Sequence, residues 1–159
     1  MKSRRSLVIA VVVAALLALV GLAAACSSGE PEAETSAEAP ATTLGQEVEA
    51  EGGSYVSVTP AELRSILESK DFPLVNVHIP YEREIEGTDL FIPYDQIAER
   101  VVELPQERDA KIVLYCRSGS MSAAAAEALV GLGYTNVWNL DGGMIAWEGA
   151  GYPLRDSGG

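Results

Sequence analysis

The sequence predicts an α/β domain over residues 54–155, with a central parallel sheet flanked by helices on both faces. Short apolar runs rich in Val, Leu and Ile alternate along this part of the chain with helix-forming segments. Because these runs show little polar alternation, they are typical of strands that are buried on both faces of a sheet. The connections are short and contain Gly, Pro or Asp, so consecutive strands are expected to run parallel with helices between them.

The first predicted strand leads directly into the first predicted helix. Residues 55–58, Tyr-Val-Ser-Val, have the composition of a short strand. Thr59 is expected to be the N-cap of the helix, with Pro60 at its first position and Glu62 completing a capping box. The apolar face of this helix is expected to contain Leu63, Ile66 and Leu67.

The second strand is predicted at residues 74–78, and a long connection follows it. Residues 79–93 are expected to lack regular structure, and connections of this length are often functional. Residues 94–103 are expected to form a helix, with an inward face made of Ile97, Val101 and Val102. Four valines are expected to be buried in the sheet: Val75, Val77, Val113 and Val137.

The third strand, Ile112–Tyr115, leads directly into Cys116, and a small polar loop and a helix at residues 122–132 follow. Strand, tight loop and helix N-terminus together bind anions, because loop N–H groups converge and the helix dipole adds positive potential. Gly119 permits backbone angles that a Cβ would oppose. A thiol placed there favours the thiolate, which is the nucleophilic form. The alternative is a buried structural cysteine at the end of a core strand.

The remaining elements complete the predicted domain. Gly133 is expected to end the helix that follows the cysteine loop. Residues 136–140 are predicted to form another strand, and the last helix is expected to begin at Met144 after a turn at Asp141-Gly142-Gly143. Residues 156–159 are expected to be a tail.

Three stretches of the chain resemble the rhodanese family of sulfurtransferases. Residues 114–122 are similar to the family's active-site loop, and residues 74–78 occupy the place of its Leu-Asp-Val-Arg strand end. Residues 132–147 resemble its signature of glycine, aromatic residue, valine, leucine, Gly-Gly and tryptophan. The resemblance implies a rhodanese-like fold in which Cys116 takes sulfane sulfur from a donor as a persulfide and passes it to a thiol acceptor.

The resemblance also assigns roles to the residues around Cys116. The anion-cradling loop is expected to consist of Arg117, Ser118, Gly119, Ser120 and Met121. Its amides would hold the negative charge of the leaving group and of the persulfide. Gly142, Gly143 and Trp147 are expected to serve the packing of the last helix rather than catalysis.

Three departures from the family pattern affect the expected site. Met121 replaces the arginine that commonly ends the loop, which removes a fixed charge beside the sulfur and weakens the case for an anionic donor of the thiosulfate type. Asn76 and His78 replace the Asp and Arg of the strand end. The segment after His78 lacks the usual Gly-His-Ile-Pro sequence and is instead acidic, carrying Glu82, Glu84, Glu86 and Asp89.

Several roles stay open at this point. His78, the single histidine of the chain, is expected either to be a hydrogen-bonded structural residue or to line the rim of the active-site pocket. The four acidic residues after it form either a solvated loop or a site for a cation or a cationic partner. No metal-ligand spacing is evident, so neither a metal nor a cofactor is expected. A cysteine phosphatase would need an arginine six positions after the cysteine to bind phosphate, and this chain has Ser122 there. Phosphatase chemistry is therefore not expected.

The first 25 residues are typical of an export signal. Basic residues precede an apolar stretch at residues 7–25, which ends in Ala23-Ala24-Ala25-Cys26. A cysteine after small residues resembles the lipobox of bacterial lipoproteins, although Leu is more usual than Ala at position 23. In that family the cysteine carries lipid, including palmitate, and becomes the mature N-terminus. The alternative is an uncleaved signal anchor, because a stretch of this length can span a bilayer.

The composition after Cys26 limits the partners and the compartment. Residues 26–53 are expected to be a disordered acidic linker, because they contain few large apolar residues. All 23 acidic residues but only eight of the eleven basic ones follow Cys26, which gives that part a formal charge of −15. Nucleic acid is therefore an unfavourable partner. The domain is expected on the extracytoplasmic side of the cell membrane, tethered by lipid at Cys26.

Two functions are consistent with the sequence. Only two cysteines exist, so Cys116 has no intramolecular disulfide partner if Cys26 carries lipid. A lone thiol in an oxidising compartment favours a working cysteine, and hence a membrane-tethered sulfurtransferase with a small sulfur donor and a thiol acceptor. The alternative is a catalytically weak or inactive rhodanese-fold module that binds or regulates another protein.

Overall fold

The computed structural model describes residues 44–156, which lie in one compact unit. The strands are β1 (Gln46–Ala50), β2 (Gly53–Val58), β3 (Leu74–Asn76), β4 (Arg83–Ile85), β5 (Leu90–Phe91), β6 (Ile112–Tyr115), β7 (Val137–Leu140) and β8 (Leu154–Asp156). The helices are α1 (Pro60–Leu67), α2 (Ser120–Gly131) and α3 (Gly143–Gly149), with 3₁₀ turns at Tyr94–Gln96 and Val101–Glu103. Across these 113 described positions, no helix is long and apolar enough to cross a membrane. The expected signal, the lipidation site at Cys26 and the last three residues lie outside them.

The main sheet has six strands in the order β1-β2-β7-β6-β3-β5. Its central pairs are parallel, with Val56 opposite Trp138, Val113 opposite Trp138, and Val75 opposite Leu114 as examples of the register. Cys116 follows β6, which lies between β7 and β3. The carboxyl ends of these strands therefore meet at one edge of the sheet, where the cysteine loop lies.

The sheet divides the core into two layers, which confirms the prediction of helices on both faces. Ile112 and Leu114 of β6 pack with α2, whereas Val113 and Tyr115 of the same strand pack with α1 and α3. This alternation follows from the two-residue period of a strand. The valines expected in the sheet are almost completely buried: Val75, Val77, Val113 and Val137.

The start of α1 also confirms its prediction. The Thr59 side chain accepts a hydrogen bond from the Glu62 backbone N–H, and the Glu62 carboxylate accepts one from the Thr59 N–H at 2.8 Å. Glu62 accepts a further bond from the Gly45 N–H at 3.0 Å. These bonds hold the pKa of the Glu62 carboxyl below its ordinary value, the bond from Thr59 being the largest cause. Glu62 thus ties the helix to the chain that precedes β1.

The folded chain begins earlier than Ser54, so the prediction of a disordered linker up to residue 53 is wrong at its end. β1 pairs antiparallel with β2 and forms an edge of the sheet, which makes the sheet mixed rather than fully parallel. Val48 and Ala50 pack against the core, whereas Glu47 and Glu49 are exposed. This alternation of small or apolar residues with glutamates is a strand pattern that the acidic composition concealed. The tail is also shorter than expected, because Asp156 pairs with Arg83.

Two further predictions fail in the middle of the chain. Residues 94–103 form two 3₁₀ turns rather than a helix, and Val102 is 77% exposed instead of facing inward. A helix this short is marginal without strong packing. Residues 79–93 do contain regular structure, because β5 pairs with β3 and β4 pairs with β8.

Candidate active site

The Cys116 thiol lies at the base of a tight loop between β6 and α2. The residue is 1% exposed. The Gly119 backbone N–H donates to Cys116 Sγ at 3.1 Å, and the Ser122 hydroxyl lies 3.4 Å from the same sulfur. Two hydrogen-bond donors therefore converge on the sulfur, and both stabilise a negative charge on it more than a neutral thiol. This is the arrangement that a nucleophilic thiolate or an anionic persulfide requires.

Gly119 has a backbone conformation that glycine tolerates best. Its φ is +91°, and it is the N-cap of α2, which begins at Ser120 rather than at the expected Ser122. An added Cβ would lie 3.1 Å from the Gly142 N atom. The positive φ turns the Gly119 N–H back toward the sulfur, so the glycine expected from the loop sequence has a geometric reason.

Ser122 was not singled out by the sequence as part of the site. Its side chain is fully buried, and its hydroxyl lies 3.1 Å from the Gly119 carbonyl as well as 3.4 Å from Cys116 Sγ. The signal that could have found it is helical spacing, because a residue three positions after the N-cap faces back toward the loop. A single hydroxyl proton serves one of these two acceptors at a time.

The loop is held from behind by the start of α3. The Met144 N–H donates to the Cys116 carbonyl at 2.9 Å, and the Ile145 N–H donates to the Arg117 carbonyl at 3.0 Å. Gly143 makes this approach possible, since an added Cβ would contact the Cys116 carbonyl oxygen and lie 2.8 Å from the Arg117 carbonyl carbon. Trp147, 3% exposed, anchors the helix in the core. These residues have the packing role expected of them.

The other loop residues have different surroundings. Arg117, Ser118 and Ser120 are exposed, whereas Met121 is partly buried and packs against the core cluster that contains Cys116. Within the described chain, Gly119 supplies the loop amide that is hydrogen-bonded to Sγ. Met121 brings an apolar side chain to the position where the family commonly has an arginine.

A second group of polar residues lies beside the loop. His78 is buried with a side-chain exposure of 8%, and its Nε2 is 3.7 Å from Glu82 Oε1. The other oxygen of Glu82 lies 3.4 Å from Arg117 Nε, and both of these side chains are about half exposed. Glu82 therefore lies between His78 and the loop residue Arg117. The sequence had identified Glu82 only as one member of an acidic segment.

Asn76 gives the strand end a neutral support in place of an ion pair. Its Oδ1 accepts a hydrogen bond from the His78 N–H at 3.0 Å, and its Nδ2 donates to the Arg83 carbonyl at 3.0 Å. Arg83 in turn forms a bidentate pair with Glu148 of α3, both bonds being 2.8 Å long. Hydrogen bonding to Glu148 raises the pKa of Arg83 above its ordinary value. The segment around Arg83 is thus hydrogen-bonded to both β3 and α3.

Tyr115 attaches the same segment to the core. Its hydroxyl accepts a hydrogen bond from the Ile85 N–H at 3.1 Å and lies 2.6 Å from Thr88 Oγ1. Burial raises the pKa of Tyr115 far above its ordinary value, and the two hydrogen bonds only partly oppose this effect. The hydroxyl therefore stays neutral and structural.

Each carboxylate of the acidic segment has a partner within the described chain. Glu82 contacts His78 and Arg117, Glu84 accepts from the Tyr81 hydroxyl, Glu86 lies 3.5 Å from an Arg155 nitrogen, and Asp89 binds Lys70 and the Leu74 N–H. Asp89 is the most firmly held, because its bond from the Leu74 N–H is 2.7 Å long. The segment is therefore neither a freely solvated loop nor a cluster of unpaired charges.

Comparisons with known proteins agree with this geometry. Residues 59–150 match the family described as Rhodanese-like domain. A protein named sulfurtransferase from Allochromatium vinosum is 37% identical over 91 residues, which cover 56% of this chain and 83% of that protein. The probable adenylyltransferase/sulfurtransferase MoeZ of Mycobacterium tuberculosis is 39% identical over 97 residues, covering 57% of this chain but only 24% of MoeZ.

A solved structure of a rhodanese-related protein has a similar fold. The crystal structure of a rhodanese-related protein from Thermoplasma volcanium aligns with a TM-score of 0.53 and 32% identity, and the alignment covers 62% of this chain and 95% of that one. The family match spans more than half of the present chain. On this ground, the chain belongs to the rhodanese-like domain family.

Proposed function

We propose that this chain is a sulfurtransferase in which Cys116 carries sulfane sulfur as a persulfide. The Cys116 thiolate attacks the sulfane sulfur of a donor, a new S–S bond forms, the bond between that sulfur and the rest of the donor breaks, and the rest of the donor leaves as an anion. A thiol acceptor, as its thiolate, then attacks the outer sulfur, breaks that S–S bond and releases the Cys116 thiolate. Each step moves one sulfur atom between two nucleophiles and needs no external oxidant.

The observation that carries this proposal is the pair of donors on Cys116 Sγ. The Gly119 N–H at 3.1 Å and the Ser122 hydroxyl at 3.4 Å stabilise the thiolate charge on Sγ, which is present before the first transfer and is restored after the second. The sulfurtransferase names of two relatives support the same chemistry, although their identities are below 40%.

The same site favours a donor other than thiosulfate. Met121 supplies no charge beside the sulfur, and Arg117, which follows Cys116 in the chain, is already in contact with Glu82. A hydrogen bond to a charged group contributes about 1.5–3 kcal/mol, so the missing arginine corresponds to about tenfold to a hundredfold in rate. We therefore expect a persulfide donor of low charge to react faster than the thiosulfate dianion.

Mass spectrometry of the purified chain tests the proposal directly. After exposure to a panel of sulfane donors, Cys116 should gain about 32 Da, the mass of one sulfur atom, and Cys116→Ser should abolish this gain. Loss of the added mass on addition of a thiol would show transfer. If no donor modifies Cys116, the sulfurtransferase proposal fails and a protein-binding module becomes the better account.

The residue at position 121 provides a matched comparison between donors. Met121→Arg should raise turnover with thiosulfate by about tenfold to a hundredfold, because it restores a charged contact to the dianion. Turnover with a neutral persulfide donor should change much less. Equal effects of the substitution on both donors would contradict the assignment of this position to anion recognition.

We also propose that the domain is anchored to the extracytoplasmic side of the cell membrane by lipid at Cys26. The support is the sequence Ala23-Ala24-Ala25-Cys26 after an apolar stretch. The chain should partition with membranes and incorporate labelled palmitate, and Cys26→Ser should abolish this labelling. Recovery of unlabelled wild-type chain that still carries residues 1–25 would reject the anchor.

A further inference from the structure

Three polar side chains beside the cysteine loop face one another without completing their hydrogen bonds. Within residues 44–156, neither ring nitrogen of His78 has a hydrogen-bond partner, although its side chain is more than nine-tenths buried. Glu82 lies between His78 and Arg117 at 3.7 Å and 3.4 Å, distances longer than those of good charge-assisted hydrogen bonds. An unsatisfied buried polar group calls for an explanation, and an absent ligand is one.

A neighbouring ion pair has much shorter contacts than Glu82 and Arg117 do. Arg83 and Glu148 form two hydrogen bonds of 2.8 Å a short distance away, so that pair is fully engaged. Arg117 and Glu82 share the same pocket with it but make no such bond. Arg83 and Glu148 hold β4 to α3. Arg117 and Glu82, in contrast, retain N–H donors and carboxylate oxygens that make no hydrogen bond within the described residues.

Two of these groups, Glu82 and Arg117, line a small polar pocket next to the cysteine loop. Its volume is about 100 Å³, and its wall includes Glu82, Arg117, Met144 and Ile145. The Met144 N–H donates to the Cys116 carbonyl at 2.9 Å, so a residue of the pocket wall also holds the backbone of Cys116. A volume of this size is equivalent to about three water molecules, which suits one small head group but not a large cofactor.

The charges in the pocket select the kind of head group. Two arginines and two glutamates line it, so their formal charges cancel, and a ligand with one net charge gains no advantage from the pocket as a whole. A zwitterion suits the free pair, because its carboxylate can accept two parallel N–H bonds from Arg117 and its ammonium can donate to Glu82.

We propose that Arg117 and Glu82 form a subsite for the α-amino and α-carboxylate groups of an amino-acid thiol, such as free cysteine, which acts as the sulfur acceptor. This inference rests on the proposed sulfurtransferase function and specifies its acceptor. The acceptor thiolate attacks the outer sulfur of the Cys116 persulfide, the Cys116 S–S bond breaks, and the acceptor leaves as its own persulfide while Cys116 returns to the thiolate.

Acceptor analogues that lack one charge each test the subsite. The full-length chain is first loaded with one sulfane sulfur on Cys116, which intact mass verifies. Loss of that sulfur is then timed with cysteine, with cysteamine, which lacks the carboxylate, with 3-mercaptopropionate, which lacks the ammonium, and with 2-mercaptoethanol, which lacks both. Rates are compared at equal concentrations of acceptor thiolate. Cysteine should react about tenfold or more faster than either singly charged analogue.

Substitutions assign each charge to its residue. Glu82→Gln should reduce the preference for cysteine over 3-mercaptopropionate, and Arg117→Gln should reduce the preference for cysteine over cysteamine. Glu86→Gln is the matched control, because Glu86 belongs to the same acidic segment but pairs loosely with Arg155 away from this pocket. Its acceptor preferences should equal those of the wild-type chain.

A binding measurement separates failure of the subsite from failure of the proposed function. L-Serine has the same head group as cysteine and no thiol, so calorimetry with the Cys116→Ser chain detects head-group binding without any sulfur transfer. Millimolar binding that Glu82→Gln and Arg117→Gln both weaken supports the subsite. If serine does not bind and the four thiols react equally fast, the subsite is overturned even when the persulfide forms. If serine binds but no persulfide forms, the proposed function fails instead.

Discussion

Replacing Gly143 by alanine is expected to destabilise the domain by acting on the backbone of the cysteine loop. Gly143 has a φ of +56°, and an added Cβ would contact the Cys116 carbonyl oxygen and lie 2.8 Å from the Arg117 carbonyl carbon and oxygen. Backbone atoms cannot rotate away as a flexible side chain can. The start of α3 must therefore move back from the loop.

The magnitude follows from two contributions. A positive φ costs a non-glycine residue about 1–2 kcal/mol. The movement would also weaken the hydrogen bonds from the Met144 and Ile145 N–H groups to the Cys116 and Arg117 carbonyls, at about 0.5–1.5 kcal/mol each. The expected loss in the free energy of unfolding is about 2–4 kcal/mol, which lowers the melting temperature by about 8–16 °C for a domain of this size.

Gly149→Ala is the control within the same helix. No atom outside its immediate surroundings lies within 4 Å of a Cβ at this position, and its φ is not positive. Because alanine has the higher helix propensity, this variant should be neutral or more stable by up to about 1 kcal/mol. Thermal unfolding followed by circular dichroism compares the two. If Gly143→Ala melts within about 2 °C of the wild-type chain, the contact does not constrain the loop and the reasoning is wrong.

Two other substitutions test how the surrounding segments are held. Tyr115→Phe should lower the free energy of unfolding by about 1–3 kcal/mol in urea denaturation, because it leaves the buried Ile85 N–H without an acceptor; a neutral effect would mean that Thr88 or water replaces the hydroxyl. Glu62→Gln should destabilise the domain by less than about 1 kcal/mol at pH 7, since Glu62 is partly exposed. The folded-state pKa of Glu62 is lowered from 4.5, so its stabilisation is present above that value and is lost as the pH falls through the lower folded pKa. Stability curves for wild type and Glu62→Gln should therefore converge in acid, and curves that stay parallel would exclude this linkage.

The contacts of the acidic residues among 82–89 help to decide between an enzyme and a non-enzymatic module that binds another protein. An acidic surface that recruits a cationic partner needs carboxylates that are free to bind it. Asp89 is instead committed to Lys70 and to the Leu74 N–H, and Glu84 to the Tyr81 hydroxyl. Glu82 and Glu86 have the longer contacts, and Glu82 lies beside the cysteine loop. Of these two loosely held carboxylates, Glu82 is therefore the one at the candidate site.

Local signals in the sequence were sufficient for the strand, loop and helix around Cys116. A run of four apolar residues before Cys116, a glycine three positions later and an alanine-rich helix predicted strand, loop and helix, and the structure has all three. The capping box at Thr59 and Glu62 is local for the same reason, since its two residues are three positions apart. Patterns of this kind depend on neighbouring residues, which the sequence lists side by side.

Tertiary structure alone decided which distant groups complete the site. Glu82 contacts Arg117 across the fold, and the neighbouring Arg83 pairs with Glu148 of α3, which is 65 positions away. β1 joined the sheet although its glutamates suggested a linker, because pairing with β2 satisfies its backbone while Val48 and Ala50 pack on the core. Contacts of this kind depend on burial and strand pairing across the whole chain, and no local pattern encodes them.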